Sequence, residues 1–308
     1  SSTLIGRSRE QALGVDFHVP RHPLAEVFGF PADNHSQDAE RYRKNRLCPY
    51  NKRVAHCTKD KANDPLGVCS IFEDDGSIAI TCPVRFRQDW RIADDAAAFF
   101  FPPGAAWASL SEVRLSDASG KSAGNIDLVL AAYDAQGQIM DFGAVEVQGV
   151  YISGNIRHAF EHYMQDPVAN TRMDWTKQPN YPRPDYLSSS RKRLAPQLIY
   201  KGGILNSWGK KLAVVLNRNF FNSLPALNEA EFREAEIAWL IYDLVLDQRQ
   251  NRYQLELQRT VYTRFETALA QIATPEPGPI DQFMNLLQEK LDHKRGNRAS
   301  TDGMVDLP

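Results

Sequence analysis

One stretch, residues 125–149, limits what this chain can build more than any other. It reads N-I-D-L-V-L-A-A-Y-D-A-Q-G-Q-I-M-D-F-G-A-V-E-V-Q-G: two apolar runs separated by a turn through Asp134, Gln136 and Gly137. Side chains alternate along a strand, so Glu146 and Gln148 share one face while Val145 and Val147 take the other. If the runs pair as a hairpin, Asp127 lies beside Glu146 across the ladder. Two carboxylates brought together on apolar strands are costly unless a cation neutralises them. Hard divalent ions such as Mg²⁺ prefer such oxygen ligands, polarise phosphate and generate hydroxide. The competing reading is a solvated strand face that carries two unrelated acids.

A chain of 308 residues can form one large domain or a core with appended modules. No apolar run reaches the length of a membrane helix, and residues 1–14 show no apolar core of a signal peptide, so a cytoplasmic protein is expected. The net charge of −2 gives no global sign of a nucleic-acid partner. Its distribution is more informative. Arg41, Arg43, Lys44, Arg46, Lys52 and Arg53 stand together with no acid among them. A second basic stretch runs through Arg183, Arg191, Lys192, Arg193 and Lys201 to Lys210 and Lys211, and acids predominate from Glu229 onward. Such segregation fits a DNA-facing side and an acidic far side; solvated loops are the alternative.

All four cysteines, Cys48, Cys57, Cys69 and Cys82, fall within one short segment, at intervals of eight, eleven and twelve residues. Clustering in a cytoplasmic chain favours one tetrahedral metal site over two disulfides, and four thiolates suit zinc or iron. With so little core of its own, this module would depend on the ion. Residues 1–40 read as an irregular arm. Residues 105–115 read as a helix ending near Glu112, a third acid for the same site. Residues 194–206 read as a helix, 211–216 as a buried strand, and 253–262 as an alternating strand. Asn228 and Glu231 resemble a capping box opening a helix through Trp239–Leu246. Helices at 264–273 and 280–290 precede a loose tail from Gly296.

Asn155 caps a helix bearing His158-Ala-Phe-Glu161-His162, the H-x-x-E-H string of inverted zinc metallopeptidases. There, two histidines one turn apart bind zinc and the glutamate serves as base. Here a third ligand would come from a helix over residues 229–236.

Several motifs taken together resemble the NotI-type restriction endonucleases, a branch of the PD-(D/E)xK nuclease superfamily. They are L-C-P-Y-N-K at 47–52, Cys57, G-V-C-S at 67–70, T-C-P-V-R-F at 81–86, G-N-I-D-L-V-L at 124–130, E-V-Q at 146–148 and Q-L-I-Y-K-G-G at 197–203. The resemblance implies an α/β fold with a PD-(D/E)xK endonuclease-like mixed sheet flanked by helices and a small four-cysteine metal-binding module. It implies iron at Cys48, Cys57, Cys69 and Cys82, catalytic Asp127 and Glu146 holding Mg²⁺, Gln148 from an E-x-Q variant, and Glu112 as a further acid. Most of the superfamily carries lysine where Gln148 stands; glutamine can orient water but supplies no charge.

The expected organisation is an arm (1–44), the four-cysteine module (45–95), the nuclease core with C-terminal helices (96–295) and a tail (296–308). The expected function is type II cleavage of double-stranded DNA at a GC-rich palindrome, yielding 5′-phosphate and 3′-hydroxyl ends. The enzyme would act as a homodimer, with Trp239–Leu246 or Ile280–Leu291 as dimer surfaces. Arg183, Arg191, Lys192, Arg193 and Lys201 would contact DNA. The rivals are a zinc peptidase centred on His158, Glu161 and His162, a structure-specific nuclease, and a non-catalytic DNA-binding protein.

Overall fold

The computed structural model describes residues 22–61 and 63–301. Its strands, in chain order, are β1 (Leu24–Val27), β2 (Phe30–Pro31), β3 (Val68–Phe72), β4 (Ile78–Ile80), β5 (Trp107–Ser116), β6 (Ser122–Tyr133), β7 (Ile139–Gln148), β8 (Leu212–Asn217), β9 (Ile237–Asp247) and β10 (Arg252–Thr263); further two- and three-residue strands need no label. The helices used below are α1 (Gln37–Lys44), α2 (Arg91–Phe100), α3 (Ile156–Gln165), α4 (residues 186–207), α5 (Phe265–Ala273) and α6 (Ile280–Thr301).

The main sheet is six-stranded, in the order β10-β9-β8-β7-β6-β5. Both β7–β8 and β8–β9 pair in parallel, and the remaining neighbours are antiparallel, so the sheet is mixed. The β6–β7 hairpin forms as its sequence dictates. Asp134 Oδ1 accepts from Gln136 N and Gln138 N at 2.9 Å, and Gly137 takes the left-handed φ of +79° that the turn requires. One face of the sheet packs Val145, Val147, Ala213, Val215 and Leu240 against Ile92, Ala96 and Phe100 of α2. The other packs Ala144, Val214, Leu216 and Trp239 against Leu194, Leu198 and Leu205 of α4 and Phe265 of α5. Helix α2 stops where Phe101, held extended before Pro102, cannot continue it.

Three local expectations need correction. Residues 105–115 form strand β5, not a helix. Trp107 packs on the α2 side and Val113 and Leu115 on the α4 side, with Glu112 at φ +58° between them. That break in alternation hides the strand period. Trp239–Leu246 lies in β9, whose first six residues are all buried. A strand buried on both faces carries a continuous apolar run that periodicity cannot tell from a helix. The tail is helical as far as Thr301.

A second, four-stranded sheet, β2-β1-β3-β4, draws β1 and β2 from the stretch expected to be an irregular arm and β3 and β4 from the cysteine segment. Residues 1–21 lie outside the described residues. Helix α3 covers this sheet, with Phe160 and Tyr163 among Leu24, Val27, Val68 and Ile71. A buried ion pair joins the two sheets: Arg85 and Glu26 are both fully enclosed, with Arg85 Nε 3.0 Å from either Glu26 oxygen. Ser70 Oγ donates to Glu26 (2.9 Å), Arg85 Nη1 and Nη2 donate to Gln88 Oε1 and Tyr253 O (2.8 Å each), and the guanidinium lies 4.3 Å over the Tyr50 ring.

Candidate active site

The β6–β7 ladder ends at Leu128↔Val145, so the next positions, Asp127 and Glu146, stand where the two strands part. Asp127 Oδ2 occupies the gap by accepting from the freed Val147 N–H at 2.8 Å. Glu146 and Gln148 sit on the α4 side of β7, 2 % and 0 % exposed. Parallel pairing of β7 with β8, Glu146 opposite Val214 and Gln148 opposite Leu216, holds both in the middle of the sheet. Glu146 and Gln148 thus share one face of β7, and Asp127 lies where its charge acts on Glu146.

Helix α4 supplies what lies over them. Its N-terminus is capped by Asp185, which accepts from Ser188 N at 2.9 Å. Two turns, Ser190–Leu194 and Leu198–Gly202, are π-helical. An α-helix carries a four-residue step about 40° past a full turn, and a wider i→i+5 turn falls short of one. Alternating the two keeps Arg193, Gln197 and Lys201 on one line facing β7. Gln197 Oε1 accepts from Gln148 Nε2 at 2.5 Å. Lys201 Nζ lies 2.5 Å from Glu146 Oε2 and 2.8 Å from Asn125 O. Lys201 is only 5 % exposed. It therefore belongs with the acids and not with the exposed cations Arg191 and Lys192, where basic-run reasoning puts it. Gln197 enters the sequence reading only as the first residue of Q-L-I-Y-K-G-G, with no role given to it. The four-residue spacing of Arg193, Gln197 and Lys201 was the available signal, and an unbroken α-helix would have blurred it.

The electrostatics are those of a crowded anionic pocket. Burial, then the charge of Asp127, push the Glu146 carboxyl up to about 7, against the opposing pull of Lys201 and Arg193. Two buried oxygens, Glu146 Oε1 and Gln148 Oε1, have no hydrogen-bond partner. In a closed interior each would cost roughly 1–3 kcal/mol. Glu112 is opposite Asp127 by the register on either side of it (Ser111↔Leu128, Val113↔Ile126), yet its side chain is exposed and paired with Arg53 at 3.3 Å.

The cysteines are brought together in two pairs. An isolated bridge, Leu47↔His56, sets Cys48 near Cys57, and Cys82 N donates to Cys69 O at 3.1 Å. Burial pushes the Cys48 thiol up to about 11, with further upward contributions from Cys82 and Cys57. Cys69 rises by burial first, then by Glu26 and all three other thiols. The four groups thus share one neighbourhood. All four are unbridged, and among the described residues no three His, Cys, Asp or Glu side chains stand in the arrangement of a formed metal site.

The H-x-x-E-H helix is otherwise engaged. His158 and His162 both set their rings 5.3 Å from Trp175, His162 Nε2 lies 2.8 Å from Met173 Sδ, and Glu161 pairs with Arg157 at 3.7 Å. The helix expected over residues 229–236 to supply a third zinc ligand is absent.

The basic stretches divide. In the first, Arg43 is buried on the carbonyls of Asn34 (2.6 Å) and Pro31 (2.8 Å), Arg46 pairs with Asp64 (2.7 Å), and Arg53 holds Glu112. In the second, Arg191 and Lys192 are exposed on the first turns of α4, while Arg183 stacks 5.2 Å over Tyr181 and meets Asp74 at 3.4 Å. Among the described residues no helix is long and apolar enough to cross a membrane.

A family model described as restriction endonuclease NotI matches residues 34–255. That span takes in β3 and β4 of the smaller sheet, the main sheet as far as the start of β10, all four cysteines, and the acids with the helix above them, while β1 and β2 precede it. No curated protein matches the chain.

Proposed function

Because the chain belongs to the NotI restriction endonuclease family, a group of DNA-cleaving hydrolases, we propose that it is a type II enzyme hydrolysing both strands of a GC-rich palindrome with Mg²⁺ held by Asp127 and Glu146. The observation that carries the reading is the pair of orphaned buried oxygens, Glu146 Oε1 and Gln148 Oε1, on one face of β7, where the Asp127 charge acts on Glu146. Enclosed polar atoms without partners call for a ligand. When bound, a hard divalent ion would polarise the phosphate and acidify the attacking water.

The chain's own residues do the rest. Asp127 is fixed by the Val147 N–H, so its position is set by the backbone. Gln148, held by Gln197, can orient a water through its free oxygen, leaving pKa depression to the cation. The Glu112 carboxylate reaches the site only if Arg53 releases it. Exposed Arg191 and Lys192, with Arg183 nearby in sequence, would meet phosphates or guanine edges.

The four cysteines would hold one structural ion, iron by the resemblance and zinc as the alternative. Their mutual neighbourhood supports the site, and an ion bound there would favour the thiolate forms of Cys48, Cys57 and Cys69, whose thiols burial pushes up. Two-strand cleavage of a palindrome calls for a homodimer. Trp239 is wholly buried and cannot serve that contact, whereas Ile280, Phe283, Met284, Leu287 and Leu291 of α6 are all exposed at three- and four-residue spacing.

The test is incubation with mixed plasmid and phage DNA plus Mg²⁺, followed by sequencing of the ends. Discrete fragments ending at one sequence, with 5′-phosphates, are expected. Random degradation would leave a structure-specific or non-specific nuclease, and intact DNA would overturn the reading.

A further inference from the structure

We propose that Lys201 is a catalytic residue: its ammonium, delivered from helix α4, supplies at the scissile phosphate the positive charge that Gln148 cannot. The inference rests on the nuclease reading above and adds to it a group that neither the strand motif nor the charge pattern reveals.

The ammonium lies 2.5 Å from Glu146 Oε2 and 2.8 Å from Asn125 O, so two of its three N–H donors are committed to protein. The third is left for a ligand, and on the same side of β7 Glu146 Oε1 and Gln148 Oε1 are also without partners. Burying a lysine in this way is costly and serves no packing need that methionine would not meet. Two structural features hold it there. The π turn Leu198–Gly202 sets Lys201 in line with Gln197, the residue that holds Gln148. Gly202 lets that turn approach α5, since a Cβ at this position would lie 2.6 Å from Phe265 Cε2. On the strand side Gly124 (φ +110°) bears no side chain that would cover the lysine stem, 3.7 Å from where its Cβ would be.

In the step proposed, water adds to phosphorus and the P–O3′ bond breaks. The bonding pair leaves on the 3′ oxygen, which takes a proton from solvent, while the attacking water loses its own proton to solvent. Lys201 begins and ends the turnover as an ammonium. Its charge offsets the negative charge that accumulates on the phosphoryl oxygens, a contribution that is larger in an enclosed site than in water.

The experiment uses the full chain and a duplex carrying the site found by end sequencing. Lys201→Met should cut about a hundredfold more slowly or worse, while binding to the duplex in Ca²⁺ stays within a few-fold of wild type. The double variant Gln148→Lys/Lys201→Met should recover at least tenfold of the lost rate, because the charge returns from the adjoining strand. That variant also keeps Glu146 paired, so it remains informative if Lys201→Met folds poorly. Cleavage by Lys201→Met within threefold of wild type overturns the proposal. So does a folded, DNA-binding double variant no faster than Lys201→Met or, where Lys201→Met does not fold, one without detectable cleavage, since the loss would then be structural. Absence of cleavage by wild-type protein would instead sink the nuclease reading itself.

Discussion

Two buried acid–base pairs, Arg85–Glu26 and Lys201–Glu146, sit in the same molecule and are built to opposite standards. Around the first, both Glu26 oxygens are bonded, and the guanidinium is occupied by Glu26, Gln88 and Tyr253 over an aromatic ring. Around the second, Glu146 Oε1 and the neighbouring Gln148 Oε1 have no partner, and Asp127 adds a like charge. A buried pair stabilises a fold only when its remaining lone pairs and protons are satisfied. By that measure Arg85–Glu26 is a clasp between the two sheets, and Lys201–Glu146 is left with polar atoms unsatisfied. Burial alone would not separate them; the count of unsatisfied atoms does.

The largest expected effect breaks the comparison at its structural end. Glu26→Ala leaves a guanidinium that cannot lose its proton sealed in the interior, and should cost roughly 3–5 kcal/mol in denaturant unfolding. Glu146→Ala should cost distinctly less, because the Asp127 repulsion is relieved, yet it should abolish cleavage while DNA binding in Ca²⁺ survives. Equal losses of stability would erase the distinction.

Next comes pH. In metal-free protein Glu146 keeps its proton to about pH 7 when folded, against a reference of 4.5. The folded state therefore binds the extra proton between these values, and the associated stability is complete below about 4.5 and lost as pH rises through 7. Glu146→Gln imitates the protonated form at every pH. It should match wild type near pH 5 and become the more stable of the two by pH 8, as thermal melts in chelator would show. His22, buried and lowered to about 4, moves total stability the other way, so the difference between variants is the quantity to read. A difference that does not change with pH would mean that the Lys201 pairing outweighs burial.

A smaller effect concerns the cations above the pocket. Arg191→Ala or Lys192→Ala should reduce either the salt slope of specific binding, by about one for a lost phosphate contact, or the preference for the cognate site. The same change at Arg43, which is spent on backbone carbonyls, should instead appear as lost stability. The smallest expected effect is Glu161→Ala, with cleavage within a few-fold of wild type and stability within about half a kcal/mol, since this glutamate has only an exposed ion pair with Arg157. Loss of activity there would return the H-x-x-E-H helix to consideration.

Much of this architecture was legible in the sequence, and the parts that were not share a cause. The β6–β7 hairpin announces itself through period-two alternation and Asp-x-x-Gly turn chemistry, and with it come Asp127, Glu146 and Gln148. Strand β8 and strand β10 are likewise readable as an apolar run and as an alternation. What fails is whatever depends on an interrupted period or on who lies opposite. Glu112, at its positive φ, reverses the faces of β5 and conceals the strand. The unbroken apolar run of β9 fits helix and strand equally well. Lys201 sits in a basic run, so charge patterning assigns it to the DNA-facing surface, and only the fold shows that Glu146 lies opposite it. Charge patterns in a sequence record which residues are neighbours along the chain, and a buried pair is made by neighbours across it.

The two wide turns of α4 put the functional information of this helix in its length. Removing one residue between the two wide turns and before Gln197, with both turns kept, would rotate every side chain after the cut by about 100° relative to those before it. Leu198 and Leu205 would leave the hydrophobic core, and Lys201 would turn away from Glu146, with no amino acid in the site itself replaced. Comparison by residue identity would rate such a relative as intact. Its loss of activity would be written in a gap, and related chains should be aligned here by the phase of the helix before their lysines are matched.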